Sequence, residues 1–142
     1  MPGEKIKLAI ENYLPSNSRS QMIEKDGNFI VLDAYNANPT SMKAAIENFA
    51  KFSSTQKIII LGGMMELGEE SIAEHAAIVN LIQQYQWQKV ILVGGDFAKI
   101  KQPFTYFSNA SEAKVWLNSQ ALTNAFILIK GSRSMAMEKI LE

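Results

Sequence analysis

The chain has 142 residues, 14 of them basic and 14 acidic, with one histidine and no cysteine. That length suggests one domain with room for a full core, and its 47% hydrophobic content is ordinary for a globular protein. The balanced charge gives no footprint for nucleic acid or an anionic membrane, the missing cysteines exclude disulfides and thiolate metal sites, and no apolar run approaches the roughly 20 residues that span a bilayer.

The chain opens without a secretory signal, so a cytoplasmic location is expected. Ile6, Ala9, Ile10 and Tyr13 share one helical face. Pro15-Ser16-Asn17-Ser18 breaks that helix. Residues 1–16 therefore read as the helix and linker of a preceding domain, and residues 17–142 as one further domain. Arg19 follows the breaker, a place where a solvated surface charge is the commoner finding. Gln21 to Glu24 reads as a short edge strand, Asp26-Gly27 as a hairpin turn, and Phe29 to Leu32 as a buried strand antiparallel to the first.

Asp33 stands where that apolar run stops. Asn36 and Asn38 suit a polar turn, Asn38 is a good N-cap, and Pro39 fits a first helical position. Met42, Ala45, Ile46 and Phe49 continue at helical spacing. Turn chemistry alone accounts for the asparagines and the proline. An acid at a strand end also resembles the acid that holds ribose hydroxyls in nucleotide-binding α/β domains.

Lys57 to Leu61 is a continuous apolar strand, as in parallel sheets buried on both faces. Gly62-Gly63-Met64-Met65-Glu66-Leu67-Gly68 follows. Gly63 and Gly68 have P-loop spacing, but Glu69 and Glu70 stand where Lys and Ser or Thr belong, so a P-loop is rejected. Ser71-Ile72-Ala73-Glu74 reads as a capping box opening a helix to about Tyr85, with Ile72, Ala76, Val79 and Ile82 inward. His75, the only histidine, has no second histidine or cysteine to share a metal with, so packing or capping is favoured for it.

Lys89 to Val93 is another buried strand, ended by Gly94-Gly95-Asp96. A helical turn over Phe97 to Ile100 and a short strand, Phe104 to Phe107, follow. Asn109-Ala110-Ser111-Glu112 is a second cap signature, opening a helix with Ala113, Trp116 and Leu117. Trp87 and Trp116 read as packing residues, and the methionines as filler. Ala125 to Ile129 is the last strand. It runs into Lys130-Gly131-Ser132-Arg133-Ser134 and a helix carrying Met135, Met137 and Ile140. Lys130 and Arg133, with two hydroxyls beside a helix start, favour an anion or carboxylate over an ordinary basic loop. The alternation predicts an α/β fold: a three-layer, Rossmann-like, mostly parallel sheet with one antiparallel edge strand.

Asp33 to Met42, Gly62 to Gly68 and Lys130 to Ser134 together resemble the C-terminal domain of the Mur ligases. The likeness is nearest to the branch that adds D-alanyl-D-alanine to UDP-N-acetylmuramoyl-tripeptide. It spans about Pro15 to Glu142. It implies a cytoplasmic, monomeric ATP-dependent ligase of peptidoglycan precursor synthesis that works through an acyl phosphate. A preceding central ATPase domain in cis would share the ATP and bind Mg²⁺. By the same resemblance, no residue of this chain is expected to ligate a metal or to act as a catalytic group by itself. By matching position, Asp33 would bond the ribose, Asn36 and Asn38 would lie near the adenine, and Arg19 would approach the phosphates. Lys130, Ser132 and Arg133 would meet the dipeptide. The family commonly has an acid where Gly63 stands. Without a P-loop domain the 142 residues alone are expected to be inactive. The alternatives are a non-catalytic Rossmann- or flavodoxin-like binding module, and the same domain of another Mur or folylpolyglutamate-type ligase. No GxGxxG follows any strand, which counts against a dinucleotide binder.

Overall fold

A computed structural model describes residues 21–25, 27–33, 39–51, 56–64, 67–100, 103–120, 124–131 and 137–141. Six strands form one sheet: β1 (Gln21–Lys25), β2 (Asn28–Asp33), β3 (Lys57–Gly62), β4 (Lys89–Val93), β5 (Thr105–Phe107) and β6 (Phe126–Lys130), in the spatial order β1-β2-β6-β3-β4-β5. β1 and β2 pair antiparallel, and between them Gly27 has φ +83°, an angle glycine adopts without strain. Every other pairing is parallel.

The strands are apolar on both sides because both sides are covered. Val31, Ile59, Leu61, Leu92 and Leu128 pack on one face against α1 (Pro39–Ala50) and α2 (Ser71–Ile82). Ile30, Leu32, Ile58, Ile60, Val93, Ile127 and Ile129 pack on the other. There they meet α3 (Ala110–Ser119) and the 3₁₀ segment Met137–Leu141. Alternate residues of one strand thus serve two separate cores, as the two-residue side-chain period requires.

α1 begins at Pro39 and buries Met42, Ile46 and Phe49. Its last carbonyl, that of Ala50, accepts from Lys57 Nζ at 2.8 Å. The Lys57 ammonium also lies 5.4 Å from the centre of the Trp87 ring. Trp87 stacks on Phe49 with ring centres 6.0 Å apart, and its Nε1 donates to the Ile82 carbonyl at 2.9 Å, so it packs as expected. α3 has the anticipated cap. The Glu112 N–H donates to Asn109 Oδ1 at 3.0 Å, and Glu112 Oε1 accepts from the Ser108 N–H at 2.6 Å.

α2 departs from expectation. No capping box forms at Ser71. A 3₁₀ turn, Gly68–Glu70, runs straight into the helix, so Ser71 is already helical and its hydroxyl goes elsewhere. The helix ends at Ile82 rather than near Tyr85, and its buried residues are His75, Ile78, Val79 and Ile82. Ile72 is 48% exposed. The last segment is 3₁₀ over Met137–Leu141, with Met137 and Ile140 buried. The expected N-terminal helix around Ile6 to Tyr13, and Met135, lie outside the described residues.

Candidate functional site

β6 enters the sheet between β2 and β3, strands that both lie far upstream of it. The chain leaves β2 towards α1 on one face, while beyond β6 it reaches the Met137–Leu141 segment on the other. Adjacent parallel strands whose connections part to opposite faces leave a crevice beyond their carboxyl ends, where open α/β sheets bind ligands. Asp33 and Lys130 end those two strands and are register partners. Lys130 pairs in turn with Leu61 of β3. Two of the sequence-picked residues are thereby brought to one rim.

Lys130 is only 2% exposed. Its side chain is therefore buried at this rim and not spread on an open surface. Charge held in a low-dielectric place acts more strongly on a neighbouring ion than the same charge in water. Arg19, Asn36, Asn38, Ser132 and Arg133 lie outside the described residues. Between α1 and α2 lies a cleft of about 560 Å³, lined by Pro39, Thr40, Lys43, Glu74 and Leu81 among others.

Backbone meets backbone across this edge. A Cβ on Gly131 would stand 3.0 Å from Gly62 Cα and 2.7 Å from Met137 Cγ. A Cβ on Gly63 would stand 2.5 Å from Gly95 Cα and 3.2 Å from the Gly94 carbonyl oxygen. Gly95 itself has φ +60°. The Gly63 N–H donates to the Val93 carbonyl at 2.9 Å, and the Gly94 N–H to that of Phe107 at 2.9 Å. The loops after β6, β3 and β4 thus form one tight seam, and position 63 has no room for an acidic side chain.

His75 closes the seam from below. It is fully buried. The Met64 N–H donates to His75 Nε2 at 3.0 Å. His75 Nδ1 lies 2.7 Å from the Ser71 carbonyl, which can only accept, so these partners assign the ring proton to Nδ1. The Phe97 ring meets the imidazole edge-on at 4.6 Å. The Ser71 hydroxyl donates to Asp96 Oδ2, and Lys99 Nζ lies 3.4 Å from Asp96 Oδ1. The Ser71 hydroxyl is the chief cause that holds the Asp96 carboxyl below its ordinary range; burial opposes it, and Lys99 adds to the lowering. Among the described residues, no group of three or more His, Cys, Asp or Glu is placed to hold a metal ion.

The sequence carries a signal for this seam: Gly62-Gly63, Gly94-Gly95 and Gly131 all follow apolar strands. Nothing local told which of those strand ends are neighbours. That depends on β6 entering between β2 and β3.

The family model described as the Mur ligase, glutamate ligase domain, matches residues 18–133. Among curated proteins, a UDP-N-acetylmuramoyl-tripeptide–D-alanyl-D-alanine ligase of Treponema pallidum is 30% identical over 99% of this chain. The Rickettsia prowazekii ligase of that name is 32% identical over 89%. The chain spans 32% and 30% of those relatives' lengths, about a third. Among solved structures, MurF from Acinetobacter baumannii superposes with a TM-score of 0.75 at 27% identity, covering 89% of this chain and 29% of that one. The MurF ligase from Thermotoga maritima in complex with ADP does so with a TM-score of 0.75 at 26% identity, covering 90% and 30%.

Proposed function

Because the chain belongs to the Mur ligase, glutamate ligase domain family, we propose that it serves as the C-terminal domain of a ligase joining D-alanyl-D-alanine to UDP-N-acetylmuramoyl-tripeptide. One observation carries the reading: Asp33 and Lys130 end neighbouring strands at a crevice where the chain parts to opposite faces. The relatives at about 30% identity bear that ligase name.

The two charges divide the work by their chemistry. A carboxylate at position 33 suits ribose hydroxyls, which donate to it. Asn36 and Asn38 follow on the way to α1 and suit an adenine edge, and Arg19 suits phosphates. Lys130, Ser132 and Arg133 suit the carboxylate of the incoming dipeptide, with Lys130 setting the positive potential from beneath. The seam of Gly62, Gly63, Gly95 and Gly131 keeps the rim low, so that a second domain and its nucleotide can close over it.

In this reaction ATP phosphorylates the tripeptide carboxylate. The amine of D-alanyl-D-alanine attacks the acyl phosphate, forming the amide and releasing phosphate alongside ADP. Stabilising the transferring phosphoryl group takes a P-loop and Mg²⁺. These are assigned to a central ATPase domain in cis, with residues 1–16 as its tail and residues 17–142 as this domain. A monomeric, cytoplasmic enzyme is the setting we infer. Among the described residues, no helix is long and apolar enough to cross a membrane.

The test is an ADP- and phosphate-release assay with all three substrates. Amide formation is expected when this chain is covalently preceded by a P-loop ATPase domain and a UDP-sugar domain, and not from the 142 residues alone. Ligase activity from the 142 residues by themselves would contradict the division of labour.

A further inference from the structure

His75 sits at the carboxyl edge and is fully buried. Packing alone would ask only for shape, which a leucine or phenylalanine supplies. This ring instead has both nitrogens engaged: Nε2 accepts from the Met64 N–H at 3.0 Å, and Nδ1 faces the Ser71 carbonyl at 2.7 Å. A charged imidazolium has two donors, so its Nε2–H would confront the Met64 N–H; only the neutral Nδ1–H form satisfies both partners.

We propose that His75 is a positioning residue for the carboxyl-edge site: it fixes the Gly62–Met64 segment against Gly95 and Gly131, and so sets the rim beside Lys130. The path is short and continuous. Asp96 receives the Ser71 hydroxyl, which anchors the first turn of α2. The Ser71 carbonyl orients the imidazole. The imidazole pins Met64, whose neighbours Gly62 and Gly63 have backbone closely packed against Gly131 and Gly95. An error in the ring's position is passed on undiluted, because no side chain lies between those backbones. The inference rests on the site reading given under Proposed function.

The experiment uses the ¹⁵N-labelled chain. Long-range ¹H–¹⁵N correlation of the imidazole should show Nδ1 protonated and Nε2 bare. The Met64 amide should exchange at least about tenfold more slowly than in His75→Leu. His75→Gln, whose side-chain oxygen can reach towards the place of Nε2, should recover most of that protection. The Gly131 amide response to added D-alanyl-D-alanine should need about threefold or more dipeptide in His75→Leu and near wild-type amounts in His75→Gln. A wild-type ring protonated on Nε2 overturns the proposal, and so does Met64 protection equal in wild type and His75→Leu. Should His75→Leu not fold, the wild-type tautomer decides: a proton on Nδ1 supports the proposal and a proton on Nε2 overturns it. If Gly131 of the wild type ignores the dipeptide, it is the site reading that fails, and the tautomer and Met64 measurements still decide whether His75 positions the rim.

Discussion

Asp33 and Lys130 are register partners at the ends of two adjacent parallel strands, although 96 positions separate them along the chain. The proposed division between ribose and dipeptide carboxylate needs opposite charges at one rim, and it makes a kinetic prediction. In a ligase carrying this domain, Asp33→Ala should raise KM for ATP more than KM for the dipeptide. Lys130→Met, which keeps the buried volume, should do the reverse. Steady-state kinetics with each substrate varied in turn checks both, and equal effects on the two KM values would remove Asp33 from the ribose.

The seam makes a stability prediction. Gly63→Asp would place a Cβ 2.5 Å from the Gly95 backbone, which cannot swing aside as a side-chain tip can. Overpacking of this kind costs about 1–3 kcal/mol. Urea unfolding should show a lower midpoint with an unchanged slope. An unchanged midpoint would mean that the loops after β3 and β4 do not lie in contact.

Two helix starts that look alike in sequence should respond differently. Asn109 caps α3 through Glu112, so Asn109→Ala should cost about 1 kcal/mol. Ser71 caps nothing; its hydroxyl bonds Asp96. Ser71→Ala should therefore act through the Asp96 side chain, and its effect should vanish in an Asp96→Ala background. A double-mutant cycle reads this coupling directly.

The same pair fixes a pH dependence. The Ser71 hydroxyl, with help from Lys99, lowers the Asp96 pKa in the folded chain. A carboxyl with a depressed folded pKa contributes stability that is present in full above its unfolded value, about 3.9. That contribution is lost as pH falls through the folded value. Between neutral pH and about pH 5 the profiles of wild type and Asp96→Asn should run parallel; below about pH 4 they should converge. Parallel curves throughout would deny the bond.

Much of the architecture was legible because it is local. Apolar runs such as Lys57 to Leu61 and Lys89 to Val93 are strands buried on both faces. Pro39 opens α1, and Asn109 caps α3. α2 misled because its sequence, SIAEHAAIVNLI, is apolar nearly all round, so its periodicity chooses no face. The face was chosen by the Met64 N–H, which takes His75 as its acceptor, and Ile72 was turned outward. The site divides in the same way. Asp33 and Lys130 stood out as charges at strand ends, while the glycine seam needed the strand order that brings Gly131 against Gly62.

The most direct measurement is an amide-shift map of the ¹⁵N-labelled chain titrated with ADP and, separately, with D-alanyl-D-alanine, at concentrations suited to millimolar affinity, on the order of 4 kcal/mol. The account predicts that the responding described residues cluster at Asp33, Leu61 to Met64 and Lys130-Gly131. It also predicts that the dipeptide acts more strongly on Lys130-Gly131 than on Asp33. Responses centred on the opposite edge, at Asn28, Gln56 and Ala125, or no response to either compound, would contradict it.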